Sequence, residues 1–71
     1  MQKRSITIAK HRTSICIENE FWEILDSISA EKNITIPKLI EIIEKKSDKK
    51  NLSSAIRVFC LTQLNDAVKN S

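Results

Sequence analysis

The sequence predicts a mainly helical domain: a short strand, then three helices, with a second copy of the chain completing the fold. Three observations carry that expectation. Residues 12–17 alternate, with Thr13, Ile15 and Ile17 on one side and Arg12, Ser14 and Cys16 on the other, and they run straight into an amphipathic helix. The chain has no glycine and one proline, which favours helices joined by few tight turns. The last helical segment is apolar on more than one face. A strand with one apolar face is unstable alone, and the same strand from a second copy is the simplest partner.

Size points the same way. At 71 residues the chain is one domain at most. Such a chain buries only about 60% of its unfolded surface, so association adds the burial it lacks. Its 41% hydrophobic content suffices for a core but not for a deep pocket. No apolar run approaches the roughly 20 residues that span a bilayer, and the basic N-terminus has no signal-type apolar stretch, so a cytoplasmic protein without a membrane role is expected. Cys16 and Cys60 lack metal-type spacing and are expected to be reduced thiols. A single histidine and the absence of glycine, which rules out a glycine-rich phosphate loop, count against an enzyme. No catalytic residue, metal site or cofactor is assigned.

Charge is more telling in its distribution than in its net value of +3. Residues 1–17 hold Lys3, Arg4, Lys10 and Arg12 and no acid, whereas 18–31 hold Glu18, Glu20, Glu23, Asp26 and Glu31. Lys45, Lys46, Lys49 and Lys50 surround Asp48. A basic strand beside an acidic first helix suggests a one-sided anion-binding surface; an ordinary solvated surface explains so modest a charge equally well.

Each element has its own warrant. Residues 1–11 read as a basic arm that is strand in part, since Ser5-Ile-Thr-Ile-Ala9 alternates. Its apolar positions are even and those of 12–17 are odd, so the chain must bend or turn within 9–12. A hairpin within one chain would satisfy this, but Ala9-Lys-His-Arg12 lacks the Gly, Asn or Pro of tight hairpins. Pairing of 12–17 between chains is therefore preferred. Helix A spans 18–32. It opens at Glu18–Asn19, where polar side chains and acids suit the helix start, and carries Phe21, Ile24, Leu25 and Ile28 as its stripe, flanked by Trp22. Asn33 closes it in a left-handed conformation. Helix B spans 35–47, with Thr35 as N-cap, Pro37 in the first turn, and Ile34 and Leu39 placed as a hydrophobic staple. Its stripe is Ile36, Leu39, Ile40 and Ile43, with Ile42 to one side. A polar connector over 47–51 leads to helix C, 52–68, capped by Asn51 or Ser53. Leu52, Ala55, Ile56, Phe59 and Cys60, then Val58, Leu61 and Leu64, cover most of its circumference, so it is expected to be buried.

Strand, helix A, short turn and helix B follow one another in the order of the ribbon–helix–helix DNA-binding proteins. The stretches Arg4-Ser-Ile-Thr-Ile8, His11-Arg-Thr-Ser14, Phe21-Trp22 and Asn51-Leu-Ser-Ser-Ala-Ile-Arg-Val-Phe59 resemble a bacterial subfamily of these proteins that carries a third helix. The resemblance covers about residues 3–66. It implies a homodimer with an intermolecular antiparallel two-stranded ribbon that enters the major groove of double-stranded DNA at an inverted-repeat operator. Carried onto this chain, it makes Arg12, Ser14 and Cys16 the base-contacting side chains, and has the start of helix B, around Thr35 and Lys38, hold a phosphate. The chain departs from the subfamily pattern at Lys10, where a glycine is expected, and at Cys16, where a larger or more polar reader would be.

The residues fit those roles to different degrees. Arg12 can donate two parallel hydrogen bonds to guanine, or be a solvated strand arginine. Ser14 suits any base edge and signals little. Cys16 can touch a thymine methyl or simply fill space. Thr35 and Lys38 stand where free amides and the helix dipole attract phosphate, though capping alone explains them. Lys3, Arg4 and Lys10 suit phosphate contacts from a flexible arm, or a plain terminus. His11 has no visible partner for metal or base chemistry. The expected function is a sequence-specific transcriptional regulator, a repressor in type. The competing expectations are the antitoxin of a toxin–antitoxin pair, and a helical adaptor that binds protein and not DNA.

Overall fold

Two strands and three helices follow one another: β1 (Gln2–Ile8), β2 (His11–Ile17), α1 (Asn19–Lys32), α2 (Ile36–Lys46) and α3 (Leu52–Lys69). The computed structural model describes residues 1–47 and 51–69, with side chains as far as residue 66. Asp48, Lys49 and Lys50 of the basic connector lie outside the described residues.

The strands form one antiparallel hairpin, with Gln2 opposite Ile17 and Ile8 opposite His11. This corrects the expectation that 1–11 forms an arm: residues 2–8 are a strand paired with 11–17 of the same chain. The change of parity explains why. A two-residue turn sets every even position of β1 opposite an odd position of β2. Ile6 and Ile8 then share a face with Ile15 and Ile17, and all four are buried. The turn chemistry is indeed poor, because Ala9 and Lys10 take φ of 50° and 70° without being glycine. Positive φ at both central residues is the type I′ turn that matches strand twist, and burial of four isoleucines outweighs a strain of roughly 1–2 kcal/mol per residue. Replacing Ala9-Lys10 by Asn-Gly should therefore raise stability by about 1 kcal/mol, or roughly 4–8 °C in melting temperature. An unchanged or lower melting temperature would contradict a turn at these two residues.

The helices cover the apolar face of the hairpin. α1 buries Trp22, Leu25, Ile28 and Ser29, with Phe21 and Ile24 only partly covered. Its buried stripe is thus turned toward Trp22 relative to the expected one. Glu18 makes no side-chain cap; its carboxylate instead accepts hydrogen bonds from Arg57 Nε at 2.9 Å and Nη2 at 3.3 Å, fastening α3 to the start of α1. Those bonds hold the Glu18 carboxyl below the usual carboxylate range. Asn33 closes α1 in the left-handed conformation, φ 57° and ψ 43°. Thr35 caps α2, its hydroxyl accepting from Lys38 N at 3.3 Å. α2 buries Leu39, Ile40 and Ile43 and leaves Ile42 half-buried. Asn51 Oδ1 caps α3 by accepting from Ser53 N.

α3 differs from its expected burial. Ala55, Ile56 and Cys60 are buried, but Val58, Leu61 and Leu64 are 46%, 58% and 47% exposed. These three recur at steps of three along one stripe, turned away from the chain's own core.

Candidate nucleic-acid interface

Burial of the even side chains of β1 and the odd ones of β2 forces the remaining side chains outward. Arg12, Ser14 and Cys16 of β2 are exposed, and so are Lys3, Ser5 and Thr7 of β1. The hairpin is a rigid carrier, because its inner face is locked into the core and its far end is tied to α1. There Trp22 Nε1 donates to the Gln2 carbonyl at 2.8 Å.

The three arginines have different duties. Arg4 sits on the inner face of β1, its Nη1 and Nη2 donating to the two carboxylate oxygens of Asp26 at 3.0 and 3.1 Å. Its guanidinium lies 4.4 Å from the centre of the Trp22 ring. Asp26, through these hydrogen bonds, holds the Arg4 pKa up. Arg57 is engaged by Glu18 and lies over Phe21 at 6.0 Å. Arg12 is exposed on β2 and has no hydrogen bond or ion pair among the described residues. An unpaired guanidinium keeps its fork of donors for a ligand.

The expected site residues are only partly brought together. Arg12, Ser14, Cys16 and Lys3 share the outer face of the hairpin, and Lys10 stands exposed in its turn. Arg4 is set apart on the other face with Asp26. Thr35 and Lys38 lie at the end of α2 away from the turn: Glu44, near the other end of α2, borders the cleft with Ile8, Ala9, His11 and Thr13 beside the turn. Nine residues of helix separate Thr35 from Glu44, about 14 Å along the axis. Ser5 and Thr7 are outer-face residues that sequence reasoning missed. The parity switch across 9–12 carried the signal for them, once read as a two-residue turn.

The acids gather elsewhere. Glu20, Glu23, Glu31 and Asp66 line a groove between α1 and α3, over Ile24 and Ile28. The outer face of the hairpin has Lys3 and Arg12 and no acid, so its local potential favours an anion.

The sequence profile of the ribbon-helix-helix domain matches residues 1–64. The chain belongs to the ribbon-helix-helix family. That family consists of non-catalytic DNA-binding proteins, typically regulators and antitoxins. No curated protein and no solved structure shows significant similarity to this ribbon-helix-helix chain. Among the described residues, no helix is long and apolar enough to cross a membrane.

The two thiols of this ribbon-helix-helix chain are in contrasting positions. Cys16 is exposed on the hairpin, whereas burial pushes the Cys60 thiol up to about 11 from an ordinary value of 9.0. In the unfolded chain Cys60 ionises first, so its contribution to stability is complete below pH 9 and is lost as pH rises from 9 to about 11. Iodoacetamide on the native protein should give one adduct, at Cys16, with Cys60 modified only on unfolding. Equally fast labelling of both, seen by mass spectrometry, would refute the packing of α3.

Proposed function

We propose that the protein is a sequence-specific DNA-binding regulator that places its two-stranded ribbon in the major groove. The observation that carries this is Arg12: the one arginine without an intramolecular partner among the described residues stands on the exposed, acid-free face of the ribbon. A two-stranded ribbon fits the major groove, and arginine reads guanine there through two parallel hydrogen bonds. Lys3 and Lys10 contribute phosphate contacts, which supply sequence-independent affinity. Thr35 and Lys38 contribute another at the start of α2, where the cap leaves further amides free. Ser14 and Cys16 complete the β2 row of base contacts. Arg4 is held back by Asp26 and serves in phosphate contact only if that pair opens.

The family's habit of binding DNA as dimers supports a homodimer on an inverted repeat. The exposed Val58, Leu61 and Leu64 stripe is apolar surface that such a dimer could use. The regulator acts without cofactor or catalysis, in the cytoplasm. The deciding experiment is selection of bound fragments from a random duplex pool. An enriched, two-fold symmetric motif is expected, and a pool with no enrichment would overturn the proposal. The antitoxin role is a second reading, which the family also supports. Its mark would be a co-purifying toxin bound away from the hairpin.

A further inference from the structure

The groove between α1 and α3 has an apolar floor and an acidic rim. Ile24, Ile28 and Leu64 form the floor, with Ile24 half-buried and Leu64 47% exposed. Glu20, Glu23, Glu31 and Asp66 form the rim, and no lysine, arginine or histidine lines the groove. Four carboxylates and no cation make a formal −4, in a chain whose net charge is +3. Elsewhere acids are neutralised: Glu18 pairs with Arg57, Asp26 with Arg4 and Glu41 with Lys45. The four rim carboxylates have no ion pair among the described residues. Helix stability does not account for them all. Glu20 and Glu23 stand three apart on α1, where like charges repel. Glu31 lies in the last turn of α1, where the helix dipole disfavours an anion.

We infer that this groove docks a basic amphipathic helix of a partner protein. The inference is independent of the DNA reading, because no residue of the hairpin lines the groove. From Glu20 to Glu31 is eleven residues of α1, about 17 Å, or three turns of a helix laid alongside. Apolar side chains of that helix, three or four residues apart, sit on the floor, and lysines or arginines beside them meet the rim. The charge of the groove also selects against other occupants. Nucleic acid and anionic lipid are repelled by the rim. A second copy seated by two-fold symmetry would set the same acids against one another. Among the described residues no group of side chains is arranged to hold a metal ion.

The test uses the full chain and a labelled synthetic helical peptide of about 14 residues, with leucines at helical spacing and lysines between them. One control peptide has the same composition with the leucine spacing scrambled, and another has glutamate for lysine. Fluorescence anisotropy should show binding of the first peptide and little of either control. Glu23→Gln/Glu31→Gln/Asp66→Asn should weaken binding about 10-fold and should melt at or above the parent, since repulsion falls. Leu64→Ser, at an exposed position that folding does not need, should weaken it about 5-fold. No binding of the first peptide would overturn the proposal. Equal binding of the scrambled peptide, or binding unmoved by Leu64→Ser, would reduce it to charge attraction without a groove and overturn it as well. A change of oligomeric state in the triple variant, seen by light scattering, would give the groove to a second copy instead.

Discussion

Trp22→Ala should lower the melting temperature by at least about 12 °C. The indole is 1% exposed and is among the largest fully buried side chains. Truncating a buried tryptophan costs about 3–5 kcal/mol, in a domain of a size that holds only roughly 5–10 kcal/mol in all. Two further contacts go with the ring. The Gln2 carbonyl loses its hydrogen bond from Nε1, and the Arg4 guanidinium loses the face it lies on. Both tie β1 to α1, so the loss should reach the ribbon as well as the core. Trp22→Phe separates the effects, since it keeps most of the apolar burial and removes the hydrogen bond, at about 1 kcal/mol. Thermal unfolding followed by circular dichroism is the measurement. A Trp22→Ala chain melting within about 5 °C of the parent would show that this ring does not hold the hairpin to α1.

Arg12→Ala should act in the opposite manner, with stability kept and recognition lost. Arg12 is exposed and makes no hydrogen bond or ion pair among the described residues, so its removal should shift melting by no more than a degree or two. Binding should suffer by about 1–3 kcal/mol at one base position, and discrimination at that position should relax by the same amount. Arg4→Ala is the internal comparison. It breaks the Asp26 pair and the contact with Trp22, and should lower stability with no change in which base is preferred. If Arg12→Ala lowered stability and left base preference intact, Arg12 would be structural and the outer face would lose its reader.

Much of the helical part was legible in the sequence because its signals are local. Thr35 capped α2, Asn33 ended α1 and Asn51 capped α3 as their side-chain chemistry dictates. The stripe of α2 followed from spacing alone. What stayed hidden depends on partners distant in sequence. Glu18 looked like a helix-start acid, and Arg57, 39 residues on, takes its carboxylate instead. Arg4 looked like a free basic arm residue until Asp26 and Trp22 were placed beside it. The hairpin is hard to read from residue types, since its turn holds no Gly, Asn or Pro. Ala9 and Lys10 bear positive φ because the isoleucines of two strands gain more from sharing a face than the turn loses. Ser5 and Thr7 joined the candidate site only once the register was known.

The closure of β1 on β2 over two residues also determines when the ribbon comes into being. Its partners are separated by at most the 15 positions from Gln2 to Ile17, so pairing is a local, first-order event on the microsecond scale. The rate should not depend on protein concentration, as it must when a strand waits for another molecule. An isolated hairpin does not persist in water, and here its isoleucine face is held by the helices and its far end by Trp22 reaching back to Gln2. Synthesis of the first 22 of 71 residues thus supplies both strands and the tryptophan that ties them to α1. The later helices then set how long the hairpin lasts.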